Sequence, residues 1–169
     1  MKWIVVGLGN PGKEYEHTRH NIGREFLIDI GDDLPEKAVL ITPDTFMNHS
    51  GKAVKPQIKS VKAAQNLVVL HDDLDLPLGT VKISFGRGSA GHKGVESIEK
   101  AIKTNKYVRF RIGISAEKKG GAVKKPDVLG KFKPSEAADL KKAKKSVKEG
   151  LVLLMTEGLS RAMTEINGR

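Results

Sequence analysis

The chain contains no cysteine, so any nucleophile must be serine, threonine, lysine or an activated water. A nucleophile elbow requires G-x-S-x-G. Around Ser89 the run is Arg87-Gly88-Ser89-Ala90-Gly91, with arginine where the first glycine belongs, which argues against a serine hydrolase. Water then needs a base, and the histidines are His17, His20, His49, His71 and His92. His20 is the sharpest candidate: it follows a polar loop and opens the first amphipathic run, so its imidazole can face a cleft near Asn10. A histidine base needs its second nitrogen held by an acceptor, and a carboxylate there fixes the tautomer and supports the developing imidazolium. His71-Asp72-Asp73-Leu74-Asp75 offers three carboxylates, of which Asp72 sits closest to the expected strand end. Taken singly, His20 also fits a helix-start residue and Asp72 a turn-forming aspartate.

Two asparagines carry the same double reading. Asn10 lies in a glycine loop before Pro11, and Asn48 lies in Thr45-Phe46-Met47-Asn48-His49-Ser50-Gly51. A carboxamide does not titrate near neutrality but donates and accepts hydrogen bonds, which suits orienting water or stabilising an oxyanion. Either could equally be a turn or cap residue. His17, His20, His71 and Asp72 could ligate a metal, but none of them matches a ligand spacing such as H-E-x-x-H, so no metal and no cofactor is expected.

The elements that must position these residues can be read from periodicity. Gly7-Leu8-Gly9-Asn10-Pro11-Gly12 spells G-x-G-x-x-G after a buried strand, yet Lys13-Glu14-Tyr15-Glu16-His17-Thr18-Arg19 carries no apolar stripe at helical spacing. The glycines therefore shape a loop that presents Asn10 and delivers His20, without the helix N-terminus that a dinucleotide site uses. Strands are expected over 3–8, 38–42, 66–71, 80–85 and 107–114, and helices over 21–30, 45–60 with Pro56 as a break, 91–103, 135 to about 155, and 159–166. The alternation predicts a single-domain α/β layered fold over residues 1–169, with a central twisted, mixed, mostly parallel sheet flanked by helices. Leu76-Pro77-Leu78-Gly79 reads as a turn, so the strand over 80–85 can run antiparallel. Asn10, Asp72 and the glycine-rich loop 86–91 all fall after strands, where sites in such sheets gather. That loop and the lysine-rich segment 116–126 read as mobile.

Composition narrows the partner. Thirty Lys plus Arg against twenty Asp plus Glu give a net charge of +10, which suits a polyanion because neutralising phosphates releases counterions. No apolar run approaches the roughly 18 residues of a membrane span, and neither a signal peptide nor a disulfide is expected, so the expectation is a cytoplasmic monomer. Lys82, Arg87, Lys93 and Arg111 lie on segments that should flank the cleft, whereas Lys141, Lys144, Lys145 and Lys148 share one helix face that fits solvation as well as RNA contact.

Gly7-Leu8-Gly9-Asn10-Pro11-Gly12, Tyr15 and Thr18-Arg19-His20-Asn21-x-Gly23 together resemble the N-terminal signature of bacterial-type peptidyl-tRNA hydrolases. The resemblance continues in order through 45–51, His71-Asp72-Asp73-Leu74-Asp75-Leu76-Pro77-Leu78-Gly79, Gly91-His92-x-Gly94, 109–114 and 128–132, and so spans nearly the whole chain. It implies hydrolysis of the ester between a peptide and the 3′ ribose of tRNA, with His20 as base and Asp72 orienting it. It further implies that Asn10 and Asn48 hold substrate or the tetrahedral intermediate and that Met47 and His92 line the cleft for the peptide and the tRNA end. Tyr15 of the signature and the cleft-flanking cations Lys93 and Arg111 are further candidates for contact with substrate or the tRNA acceptor stem and 3′ end.

Three departures stand out. Residues 31–37 lead almost directly into the strand over 38–42 where the family carries a further strand pair. Lys93 replaces the family's asparagine, and an ammonium cannot accept a hydrogen bond. Arg87-Gly88-Ser89-Ala90 stands where mostly glycines are usual. Two other functions compete. A non-catalytic RNA-binding relative is disfavoured by the joint presence of His20, Asp72, Asn10 and Asn48. A nucleotide-dependent oxidoreductase using Asp29 or Asp32 is disfavoured because neither ends a second strand.

Overall fold

Runs such as Trp3-Ile4-Val5-Val6 and Leu67-Val68-Val69-Leu70 are apolar without alternation because their strands are covered on both faces. The computed structural model describes residues 2–117 and 119–169. Within them β1 (Trp3–Gly7), β2 (Ala38–Ile41), β3 (Leu67–Pro77), β4 (Val81–Phe85) and β5 (Val108–Glu117) form a sheet in the order β2-β1-β3-β5-β4. The β2/β1, β1/β3 and β3/β5 pairs are parallel and β4/β5 is antiparallel, as the turn at Leu78-Gly79 allows. A short β6 (Val123–Lys124) pairs antiparallel with the end of β5, so part of the lysine-rich segment 116–126 is hairpin; Lys118 lies outside the described residues.

Successive side chains of a strand point to opposite faces, and the two cores follow that period. Val5, Val68, Leu70 and Phe110 pack under α1 (Ile22–Ile30), α4 (Ala137–Glu157) and α5 (Leu159–Asn167). Val6, Leu67 and Val69 pack under α2 (Ser50–Val54) and α3 (Lys93–Ile102). Burying one such side chain is worth about 1.5–3 kcal/mol, so the alternation fixes which helix covers which face. The α1 start is set by Gly23, where an added Cβ would lie 2.2 Å from the Leu70 carbonyl oxygen. Only glycine lets the helix approach β3 that closely, and this contact delivers His20 to the strand carrying Asp72.

As expected, no α-helix opens at Gly12: its φ of 105° leads into a single 3₁₀ turn, Lys13–Tyr15, and α1 begins at Ile22. Other expectations change. The strand expected to end at 71 continues to Pro77, so Asp72 through Asp75 lie within β3. The cause is β5, which carries β3 along past the apolar run, with a register shift between Asp73 and Pro77 where the Ser115 hydroxyl donates to the Leu74 carbonyl. The helix expected over 45–60 with a break at Pro56 does stop there, since Pro56 has no N–H to continue the ladder, but it begins only at Ser50, after a 3₁₀ turn over Met47–His49. After α1, one 3₁₀ turn (Gly31–Asp33) leads to β2, which is a sheet edge.

Candidate active site

His20 sits in a 3₁₀ turn (Arg19–Asn21) that is tied down from two directions. Its backbone N–H donates to the Val128 carbonyl and that of Arg19 to the Gly130 carbonyl, which gives the segment 128–132 its purpose. Arg19 is buried, forks onto both oxygens of Glu136 at 2.9 and 2.7 Å, and lies over the Phe132 ring. That bidentate bond holds the Glu136 carboxyl below its ordinary range. On the other side, Asn21 exchanges both amide bonds with the Asn10 backbone, at 2.8 and 2.9 Å. The Asn10 Oδ1 accepts from the Met47 N–H at 2.7 Å, which leaves its Nδ2 without a partner among the described residues.

The imidazole of His20 meets Asp72 through Nδ1, 2.8 Å from Oδ2. The other carboxylate oxygen is 2.8 Å from Nε2 of His92. His92 is also the N-cap of α3, its Nδ1 accepting from the N–H groups of Gly94 and Val95, so its proton must be on Nε2 and point at Asp72. Burial on its own pushes the Asp72 carboxyl up, but His92 and His20 outweigh it by charge and by the two N–H bonds, keeping it ionised well below the usual carboxylate range. An acceptor-only carboxylate at Nδ1 makes His20 the Nδ1–H tautomer, with a lone pair on Nε2. That nitrogen has no partner among the described residues, and the ring lines a cleft of about 340 Å³.

The cleft gathers His20, Asp72, His92, Lys93 and Arg111, with Arg87 and Lys125 adding charge and the loop 87–91 as one wall. Arg111 donates through Nε to Asp73 at 2.9 Å, and Lys93 is exposed with its Nζ 3.8 Å from Glu96. The remaining candidates lie apart. Asn10 is buried between Asn21 and the Met47 N–H, outside the cleft lining; Met47 is buried in the second core, its Sδ beneath Gly94. Asn48 is exposed on a second groove between α2 and α3 that meets the cleft at Lys93. Tyr15 pairs edge-on with Phe46 at 6.1 Å. Lys82 does not reach the cleft, since its ammonium donates to the Asn167 carbonyl. On α4, Lys144 and Lys148 bridge to Asp29 and Asp33 near α1, and Lys145 pairs with Glu149, as a solvated face does.

His20, Asp72 and His92 offer ligand atoms within 4.8 Å of one another, close enough for a cation. Both imidazoles, however, turn an N–H toward the carboxylate, so a cation would have to displace both protons, and the trio reads as a hydrogen-bond chain. Sequence reasoning gave Arg19, Asn21 and Arg109 no part in the site, although Arg109 as a charge inside the buried run of β5 was a usable signal.

Fold and site together define a class: a three-layer α/β protein whose cleft presents an imidazole backed by a buried carboxylate, the arrangement of a water-activating hydrolase. A model of the family described as peptidyl-tRNA hydrolase matches residues 4–33 and 25–169, and the chain belongs to that family. Among its relatives, peptidyl-tRNA hydrolase 2 of Corynebacterium glutamicum is 36% identical over 187 residues, covering 99% of this chain and 89% of that one. The peptidyl-tRNA hydrolase of Syntrophomonas wolfei is 38% identical over 184 residues, covering 97% and 99%. The crystal structure of peptidyl-tRNA hydrolase from Acinetobacter baumannii superposes with a TM-score of 0.82 at 31% identity, covering 98% of this chain and 94% of that one. An alignment of 187 positions exceeds the 169 residues present, and the family match divides at 25–33, beside the short link between α1 and β2.

Proposed function

We propose that this chain hydrolyses the ester between a peptide and the 3′ oxygen of tRNA, with His20 as general base and water as nucleophile. The observation that carries this is the 2.8 Å bond from His20 Nδ1 to a buried, ionised Asp72, which leaves Nε2 basic and open to the cleft. His20 Nε2 takes a proton from water as the oxygen bonds to the ester carbonyl carbon. The oxyanion so formed collapses, the bond to the 3′ oxygen breaks, and the imidazolium returns its proton to that oxygen. Asp72 stays ionised and holds the ring. The Nδ2 of Asn10, which has no partner among the described residues, is our candidate donor for the oxyanion, and Asn48, on the groove that shares Lys93 with the cleft, our candidate for the peptide side. Arg87 and Lys93, with Arg111 and Lys125 paired to Asp73 and Asp75, supply the cleft's cations for acceptor-stem phosphates; His92 lines the cleft and Met47 supports α3 from the core beneath Gly94. The chain acts as a monomer in the cytoplasm, and among the described residues no helix is long and apolar enough to cross a membrane.

The test is turnover of N-acetyl-aminoacyl-tRNA without added cofactor, beside His20→Ala. A general base contributes roughly 10²–10⁴-fold, so the variant should lose that factor while still binding tRNA. Turnover within a few-fold of wild type would remove His20 from this role, and a burst of free tRNA equal to enzyme would replace water with a covalent nucleophile.

A further inference from the structure

Deep in the lining of the cleft lies a buried arginine, Arg109, that the proposed hydrolysis does not use. Arg109 in β5 has no carboxylate within ion-pair distance among the described residues, and burial lowers the pKa of its guanidinium. Its Nη1 donates to His71 Nε2 at 3.0 Å, and its Nη2 to the Gly88 carbonyl at 2.7 Å and the Arg87 carbonyl at 3.4 Å. An arginine only donates, so His71 Nε2 must carry a lone pair. The proton is then on Nδ1, which donates to the backbone carbonyl of Asp72 at 2.8 Å. Burial first, then the nearby His92 and Arg109, hold the His71 imidazole neutral well below its ordinary range.

These bonds close a ring. From the Asp72 carboxylate it runs to His92, back along the loop to Gly88, across to Arg109, then to His71 and the Asp72 carbonyl. The loop residues Arg87 through Gly91 that wall the cleft lie inside it. Ala90 holds a φ of 51°, a left-handed conformation that a non-glycine residue keeps only when its surroundings impose it. Both ends of the loop are therefore referred to one residue, Asp72.

We propose that Arg109 and His71 are positioning residues, which set the distance of the glycine-rich loop from the Asp72 carboxylate and hence the shape of the cleft over His20. This rests on the reading of His20 and Asp72 as the reactive pair. Neither Arg109 nor His71 touches substrate in this scheme.

Isosteric substitutions separate the two bonds of His71. His71→Gln places an acceptor where Nε2 was and keeps the Arg109 link; His71→Asn keeps the donation to the Asp72 carbonyl and strands Arg109. Losing a buried bond from a charged donor corresponds to roughly 10–100-fold. On N-acetyl-aminoacyl-tRNA, kcat/KM of His71→Asn and Arg109→Met should fall by about that factor, with KM rising as well as kcat falling, and His71→Gln should stay within about threefold of wild type. Amide NMR shifts of residues 87–91 should move in His71→Asn and Arg109→Met but not in His71→Gln, a readout that does not depend on turnover. If Arg109→Met does not fold, the Gln and Asn pair decides. Equal behaviour of that pair in kinetics and in the loop shifts, or a folded Arg109→Met with wild-type values of both, overturns the proposal. Wild-type protein without activity but with the loop shifts as described would instead overturn the hydrolase reading and leave the ring standing.

Discussion

Replacing Asp72 by asparagine removes one charge and puts a donor where both neighbours already donate. In the wild type each carboxylate oxygen takes one imidazole N–H at 2.8 Å. Asparagine keeps a single acceptor, so one ring must face an amide N–H. His92 cannot adapt, because its Nδ1 already receives two helix amides. The mismatch therefore falls on His20, which relieves it by moving its proton to Nε2, and a protonated Nε2 cannot accept a proton from water. Keeping the productive tautomer against that donor leaves a buried polar group unpaired, about 1–3 kcal/mol, or roughly 5- to 150-fold in population. Loss of the charge that stabilises the imidazolium adds about 4 kcal/mol at most, for charges some 4 Å apart in a surface-like dielectric. The expected fall in kcat for Asp72→Asn is about 10³-fold, between roughly 10² and 10⁴, with tRNA affinity nearly unchanged. Single-turnover hydrolysis of N-acetyl-aminoacyl-tRNA measures the first, and equilibrium binding of deacylated tRNA the second. A variant within fivefold of wild type, or one whose His20 nitrogen shifts still report Nδ1–H, would refute the tautomer reasoning.

Two further outcomes can be measured without altering Asp72 or His20. His71 is buried neutral with a depressed pKa, so below the unfolded value of about 6.5 the unfolded chain binds a proton that the native state refuses. The stability contributed is present above that pH and is lost as pH falls through it, by up to about 1.4 kcal/mol per pH unit. Urea midpoints of His71→Gln should therefore vary less between pH 7 and pH 5 than those of wild type, and parallel curves would show that His71 is not the group responsible. Lys93→Asn should raise KM more than it lowers kcat and flatten the salt dependence of binding by about one unit per lost phosphate contact. A fall in kcat alone would place Lys93 in the chemical step.

The strands were legible because parallel strands covered on both faces leave continuous apolar runs, and β1, β2 and β5 begin within a residue of where those runs start. The end of β3 was not legible. His71-Asp72-Asp73-Leu74-Asp75 looks like a turn, and it becomes strand only because β5 pairs with it, which is information held forty residues away. The same holds for the support of His20. The Arg19–Glu136 fork joins residues 117 apart, and no local pattern announces it. His20 and Asp72 were found as chemical types in suitable places, whereas the second imidazole on Asp72 could be seen only once α3 was in position. For Lys82 the pattern gave the strand but not the reach of α5, whose Asn167 carbonyl takes the ammonium.

The brevity of the link between α1 and β2 has a bearing on how these molecules behave toward one another. It leaves β2 as a bare margin of the sheet, with one side of its backbone unpaired and Leu40 exposed. Such a margin is a template for a strand from another chain. Here the template is four residues long, and Pro35 precedes it while Pro43 follows closely. Proline cannot donate to a ladder, so a docking strand would find few donors beyond that window. Pro43 is in addition pinned by Arg24, whose guanidinium donates to its carbonyl at 2.7 Å. The short link thus leaves an edge too brief to recruit a neighbour, and substituting either proline is the change that would lengthen it toward self-association.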